Sequence, residues 1–268
     1  MNGRELRLKR FIAPYDGRTV VFPLDHGVTC GPVHGLEYLE NAVLAGVRGG
    51  ADGLVLHKGM LACLRSVRER LPGIFMHLSA STLLGTSGTH KVLVGTVEEA
   101  LRRGADGVSV HVNLGTPSEP EMLRDLGVVG SACAEWQMPL LVMIYVSDAP
   151  ASPPVPDCAL AHAARVAAEL GADIIKLSPP QDDRVLAEIT RGLPVPVVVA
   201  GGSRVPDTRA FLERVERALA AGARGVAVGR NVFQNENPEA LMRAVSKIVH
   251  RGCTSEAAWN ELQEARPV

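Results

Sequence analysis

The chain has 268 residues, 46% of them hydrophobic, with a formal net charge of −1. That length suits one (β/α)-barrel of about 250 residues, and the apolar fraction is ample for its core. The near-neutral balance gives no basic footprint for nucleic acid or for an anionic membrane surface, and the longest apolar run, near Leu140 to Tyr145, is far short of the roughly 20 residues that cross a bilayer.

Residues 1–18 read as an entry segment, and Met1 to Glu5 carry no apolar signal region. Thr19 to Leu24 predicts a first strand closing on Asp25-His26-Gly27, with a helix over Leu36 to Val47. Gly53 to His57 is the second strand, ending at Lys58-Gly59, with a helix from Met60 to Leu71. Gly73 to His77 is the third, followed by a Gly/Ser-rich loop from Ser79 to Thr89 and a helix over Val97 to Arg103. Gly107 to His111 is the fourth, with Asn113 just beyond and a long helix from Glu119 to Trp136. Pro139 to Tyr145 is the fifth, then a Pro-rich loop from Ala149 to Pro156 and a helix from Ala159 to Leu170. The sixth strand runs into Lys176, with a helix over Val185 to Arg191. Pro196 to Ala200 is the seventh, ending in Gly201-Gly202, with a helix from Thr208 to Ala221. Gly225 to Val228 is the eighth, ending in Gly229-Arg230-Asn231, before a closing helix from Pro238 to His250 and a short helical tail.

Eight strands alternating with eight helices predict a parallel sheet with right-handed crossovers. An internal repeat supports closure into a TIM (β/α)8 barrel. Gly49-Gly-Ala-Asp, Gly104-Ala-Asp, Gly171-Ala-Asp and Gly222-Ala-Arg introduce strands two, four, six and eight, each glycine supplying a left-handed helix C-cap. No linker or composition break divides the chain, so residues 1–268 read as a single domain. The five cysteines, Cys30, Cys63, Cys133, Cys158 and Cys253, are odd in number and lack close pairs, which predicts reduced thiols in a cytoplasmic protein.

A barrel of this kind carries its active site at the C-terminal ends of its strands. Asp25, His57, Lys58, His77, His111, Asn113, Tyr145, Lys176 and Arg230 all fall there. Alternate residues of a strand face the interior, so Ser178 points with Lys176, Met143 with Tyr145, and Ser109 and Asn113 with His111; alternation alone leaves open whether His57 or Lys58 faces in. Lys176 needs a reason to end an apolar strand, because an unpaired cation is costly to bury. A low-dielectric mouth, with Lys58 as a neighbouring like charge, favours the neutral amine, a nucleophile that forms Schiff bases with ketones. The competing reading is a structural ion pair between Lys176 and Asp25. Tyr145 and Asp25 are candidate proton carriers; the competing readings are a rim tyrosine for Tyr145 and a cap on the following turn for Asp25. The loops Gly201-Gly202 and Gly229-Arg230-Asn231 follow the last two strands, where barrels bind phosphate through backbone N–H groups and Arg230 would add a bidentate contact. Gly85 to Gly88 fits a lid or a plain loop. His26, His57, His77 and His111 end four successive strands, so a zinc ring competes with hydrogen-bonded rim histidines.

These motifs together resemble a known family. Pro23-Leu-Asp-His-Gly-Val28, His57-Lys58-Gly59, Ser109-Val-His-Val-Asn113, the strand from Pro139 to Tyr145, His162-Ala-Ala-Arg165, Gly171-Ala-Asp-Ile-Ile-Lys176, Val197 to Gly202 and Gly225 to Gln234 are similar to the archaeal-type class I aldolases, the DhnA/DeoC group of Schiff-base barrels, and within it to the 2-amino-3,7-dideoxy-D-threo-hept-6-ulosonate synthases. The resemblance spans nearly the whole chain. It implies Lys176 as the imine lysine, Tyr145 as acid/base, Asp25 as its partner, and a phosphate site at Gly201, Gly202, Gly229 and Arg230. His26, Lys58, His111, Asn113 and Ser178 complete the expected substrate-binding set, with no metal and no cofactor. It further implies a phosphorylated ketose and an aldehyde, L-aspartate 4-semialdehyde, as substrates, and a homo-oligomer, pentameric or decameric. Dihydroxyacetone phosphate as donor, fructose-bisphosphate cleavage, and a phosphate-binding barrel without catalysis stand beside that expectation. Pro179-Pro180-Gln181 after Ser178 and the non-basic Val146-Ser-Asp-Ala-Pro150 depart from the family pattern at the substrate ends.

Overall fold

Strand β1 (Thr19–Pro23) pairs in parallel with both β2 (Gly53–His57) and β8 (Gly225–Ala227), and that double pairing closes the sheet. Between them run β3 (Gly73–His77), β4 (Gly107–Leu114), β5 (Leu140–Val146), β6 (Ile174–Leu177) and β7 (Val197–Ala200), each beside its neighbours in chain order. The computed structural model describes residues 1–85, 88–146 and 157–264. The Pro-rich loop from Ala149 to Pro156 and two residues of the Gly85-to-Gly88 segment lie outside those residues. The architecture is the TIM barrel that the β/α alternation predicts.

The helices are α1 (Gly3–Leu8), α2 (His26–Cys30), α3 (Leu39–Gly49), α4 (Val97–Arg102), α5 (Glu119–Trp136), α6 (Asp157–Glu169), α7 (Asp183–Gly192), α8 (Thr208–Ala220), α9 (Arg230–Phe233), α10 (Pro238–Arg251) and α11 (Ser255–Glu264). Among the described residues, no helix is long and apolar enough to cross a membrane. Gly50, Gly104, Gly171 and Gly222 all hold φ between 78° and 98°, the left-handed turn read from the repeat. The aspartates of that repeat do more than turn the chain. Asp52, Asp106 and Asp173 accept hydrogen bonds from the backbone N–H groups of Val20, Ile74 and Leu140 at 2.7, 2.9 and 2.9 Å. Each thereby ties the bottom of an odd strand to the strand beside it.

Alternation along the strands sends Val21, Val55, Phe75, Leu141, Ile174, Val198 and Ala227 into the barrel, where they form one buried cluster. Phe11 closes it from below, stacked on Phe75 with ring centroids 3.7 Å apart. The entry segment is therefore the floor of the barrel. Its helix α1 is started by a capping box between Asn2 and Glu5, and Arg4 and Arg10 reach Asp173 and Asp106 of the repeat.

Three expectations are corrected. Residues 60–71 are not an α-helix: Met60–Ser66 is a 3₁₀ turn, because Leu61, Leu64 and Val67 recur every three residues and pack on the core with that period. The loop after β3 carries a two-stranded antiparallel ribbon, Ser79–Ala80 against Val92–Leu93. Asp25 caps nothing: it stands at the N-terminus of α2 without a side-chain capping bond.

Candidate active site

The interior pattern that builds the core continues upward into polar residues. Two residues above Val21 and Val55, counting by pairs, come Pro23 then Asp25, and His57; above Phe75 comes His77; above Leu141 come Met143 and Tyr145; above Ile174 comes Lys176. All of these but Pro23 line a cavity of about 300 Å³ together with His26, Thr29, Ser79, Lys91, His111 and Arg230. A second cavity of about 240 Å³ holds Ser178, Gly201, Gly202, Ser203, Gly229 and Arg230. Lys176, Tyr145, His26 and Arg230 border both, so the two are compartments of one mouth with Lys176 at the divide.

Lys176 is 8% exposed, and its amine contacts the sulfur of Met143 at 3.7 Å. Among the described residues no carboxylate lies within ion-pair distance of it. Asp25 is held elsewhere, its two oxygens 3.7 Å from His26 Nδ1 and 3.6 Å from His77 Nε2. The structural ion pair between Lys176 and Asp25 is therefore not formed. Burial pushes the Asp25 carboxyl upward, yet His77, His26, Lys176 and His57 around it outweigh that and hold it well below the usual carboxylate range.

The imidazoles are kept neutral at physiological pH. Burial drives His77 down to about 3 against the pull of Asp25, and drives His111 down to about 4 with help from Lys91. His26 and His57 are lowered for the same first reason. His77 Nδ1 meets the Ser109 hydroxyl at 2.8 Å. Asn113 donates to the carbonyl of Thr89 at 2.6 Å, which turns its amide oxygen to His111 Nε2 at 2.9 Å. That oxygen can only accept, so His111 carries its proton on Nε2. His111 packs beside Tyr145, ring centroids 4.7 Å apart. Among the described residues the Tyr145 hydroxyl has no hydrogen-bond partner in the protein.

The glycine loops are locked together from behind. Asn231, 5% exposed, donates to the carbonyls of Gly201 and Ser203 at 2.9 and 3.2 Å and accepts from Val205 N–H at 2.8 Å. Arg214 of α8 donates to the same Gly201 carbonyl at 2.7 Å. With that carbonyl turned outward, the planar peptide directs the Gly202 N–H the opposite way. Gly202 holds φ +73°, and a side chain at Gly229 would meet His26 at 2.8 Å, so both positions require glycine.

Of the residues singled out from sequence, Asp25, His26, His111, Tyr145, Lys176, Ser178, Gly201, Gly202, Gly229 and Arg230 converge on the mouth. Asn113 reaches it through His111. Lys58 does not belong with them. Alternation from Val55 puts His57 inside, and Lys58 turns out to pair with Glu99 of α4 at 3.2 Å, 42% exposed. It cannot act on Lys176 as a close like charge. A third cation lines the cavity beside Lys176 and Arg230: Lys91, which motif reading passed over. Its one signal was rarity, since the chain has only five lysines: Lys9, Lys58, Lys91, Lys176 and Lys247. His26 and His77 flank Asp25, His57 packs on His77, and His111 meets Asn113. Among the described residues no three His, Cys, Asp or Glu side chains are grouped so as to hold a metal ion.

Comparison with known proteins agrees with this architecture. The sequence pattern of the DeoC/LacD family aldolases matches residues 19–235. The chain is 42% identical over 255 residues to the 2-amino-4,5-dihydroxy-6-oxo-7-(phosphonooxy)heptanoate synthase of Streptomyces griseus, covering 95% of this chain and 93% of that protein. It is 39% identical to the 2-amino-3,7-dideoxy-D-threo-hept-6-ulosonate synthase 1 of Archaeoglobus fulgidus, covering 93% and 92%. The solved structure of an archaeal fructose 1,6-bisphosphate aldolase superposes with a TM-score of 0.83 at 28% identity, covering 94% of this chain and 100% of that one. A Schiff base-forming fructose-1,6-bisphosphate aldolase superposes at 0.82 and 27%, covering 93% and 100%. The chain with its lysine-centred barrel mouth is a member of the DeoC/LacD family of aldolases.

Proposed function

We propose that this aldolase joins a ketose-phosphate-derived unit to L-aspartate 4-semialdehyde through an imine on Lys176, giving a seven-carbon amino keto acid. The observation that carries the reading is the setting of Lys176: a buried amine at the divide of a two-compartment mouth, with no carboxylate beside it among the described residues. A neutral amine adds to the ketone and loses water to give an iminium, an electron sink for the adjacent carbon. Loss of a proton from that carbon gives an enamine. The enamine carbon forms the new bond to the acceptor aldehyde, whose oxygen takes up a proton, and water then releases the product and restores the lysine. Those protons are assigned to Tyr145 and the ionised Asp25, which line the same cavity as Lys176. The donor's phosphate is assigned to the Gly201-Gly202 and Gly229-Arg230 loops, whose glycines and guanidinium line one cavity.

The relatives support the choice of substrates. In the Streptomyces griseus product, breaking the bond between carbons 4 and 5 leaves a triose phosphate and a four-carbon amino acid aldehyde. That favours dihydroxyacetone phosphate as the donor unit here, with the phosphate retained. The test is a product assay: L-aspartate 4-semialdehyde with dihydroxyacetone phosphate or fructose 1,6-bisphosphate, read by mass. A phosphorylated seven-carbon amino keto acid is expected. Turnover of fructose 1,6-bisphosphate to triose phosphates, with no product from the amino aldehyde, would instead support a fructose-bisphosphate aldolase.

A further inference from the structure

The compartment opposite the glycine loops contains a cation of its own. Lys91 is 7% exposed and lines the same cavity as Lys176 and Asp25. It stands at the end of the ribbon formed by Ser79–Ala80 and Val92–Leu93, so its backbone is set by strand pairing rather than by a free loop. Its amine donates to the Ser81 hydroxyl at 2.6 Å and meets the Thr29 hydroxyl at 3.4 Å. Among the described residues no carboxylate lies within ion-pair distance. Two neutral hydroxyls do not offset the burial of an ammonium, which needs an anion or a loss of charge. Burial lowers the Lys91 pKa and Asp25 partly restores it. The neighbouring imidazoles, His57, His77 and His111, contribute no negative charge.

A condensation between two anionic molecules brings charge to both ends of the mouth. The donor's phosphate goes to one compartment; the acceptor reaches Lys176 from the other and brings whatever charge it carries there. We propose that Lys91 receives the carboxylate of the acceptor aldehyde and is the residue that selects a carboxylated acceptor over a neutral one. The inference rests on the aldolase reading above and adds to it the residue that recognises the acceptor's carboxylate. Ser81 and Thr29 then position the amine, and the carboxylate supplies the counter-charge when the acceptor is bound.

The experiment compares wild type with Lys91→Met and Lys91→Arg, using dihydroxyacetone phosphate as donor and either L-aspartate 4-semialdehyde or butanal as acceptor. Wild type should prefer the carboxylated acceptor. In Lys91→Met, kcat/KM for it should fall by about 10–100-fold, the range of a charge-assisted hydrogen bond, while butanal changes little. Lys91→Arg should keep most of the preference, which separates charge from packing if the methionine variant folds poorly. Borohydride trapping of the donor on Lys176 should be the same in all three. Equal losses for both acceptors would overturn the proposal and make Lys91 a structural bolt. A slowed or lost imine in the variants would overturn it in favour of an effect through Lys176. No loss for either acceptor would overturn it outright. A wild-type enzyme that traps no donor at all would instead bring down the aldolase reading on which it rests.

Discussion

Lys176 and Lys58 are both lysines at strand ends, and their fates differ by one residue of register. Lys176 shares the parity of Ile174 and is drawn into the mouth; Lys58 lies one step off the parity of Val55 and finds Glu99 outside. The same parity puts Tyr145 above Met143 and beside His111. Tyr145 lines the same cavity as Lys176, the setting behind the proton-transfer role proposed for it. Replacing Tyr145 with Phe removes one oxygen and leaves the ring packed on His111. The variant should still give a borohydride-trapped adduct with dihydroxyacetone phosphate, while steady-state carbon–carbon bond turnover drops by about 10²–10⁴-fold, the usual contribution of a positioned acid/base. Turnover near wild type would take the phenol out of the mechanism and leave Asp25 or a bound water.

At the scale of elements, the barrel is tied at its base by polar groups that its repeat supplies. Asp52 accepts from Val20 N–H and also faces His250 of α10, whose other ring nitrogen faces Asp16 of the entry segment. The distances are 2.9 Å to Asp52 and 2.7 Å to Asp16, so both nitrogens meet carboxylates, and only the doubly protonated ring donates to both. Burial lowers the His250 pKa, but the two carboxylates outweigh it and raise it above the ordinary value. A raised folded-state pKa contributes stability that is complete below the unfolded value of about 6.5 and is lost as pH climbs through the folded one. His250→Gln should therefore lower Tm most at about pH 6, by an amount equivalent to roughly 1–3 kcal/mol, and less at about pH 9. A difference in Tm that grows with rising pH would contradict this bridge.

Over the whole molecule, the legible part of the sequence was whatever depends on neighbours along the chain. Strand positions, the glycine turns of the repeat and the ends carrying Asp25, Tyr145 and Lys176 follow from local periodicity and turn chemistry. What depends on contacts distant in sequence was not legible. Phe11 is a floor only because it meets Phe75, and Lys91 is a cavity cation only because its ribbon leans over the mouth. Asn231 belonged to a recognised loop, yet its role as the bolt between the two glycine loops depends on carbonyls about thirty residues earlier. The histidines illustrate the opposite risk. Four strand-end imidazoles in sequence invite a metal, whereas in space two of them, His26 and His77, flank the Asp25 carboxylate and His111 meets Asn113.

The central claim is that the reaction runs through one lysine, and two buried lysines now stand in the same mouth. Borohydride reduction in the presence of dihydroxyacetone phosphate, followed by peptide mass spectrometry, separates them directly. One reduced triose phosphate adduct per chain is expected, on the peptide holding Lys176, undiminished in Lys91→Met and abolished in Lys176→Met. An adduct on Lys91 or Lys58, or an active enzyme that yields no adduct at all, would contradict it.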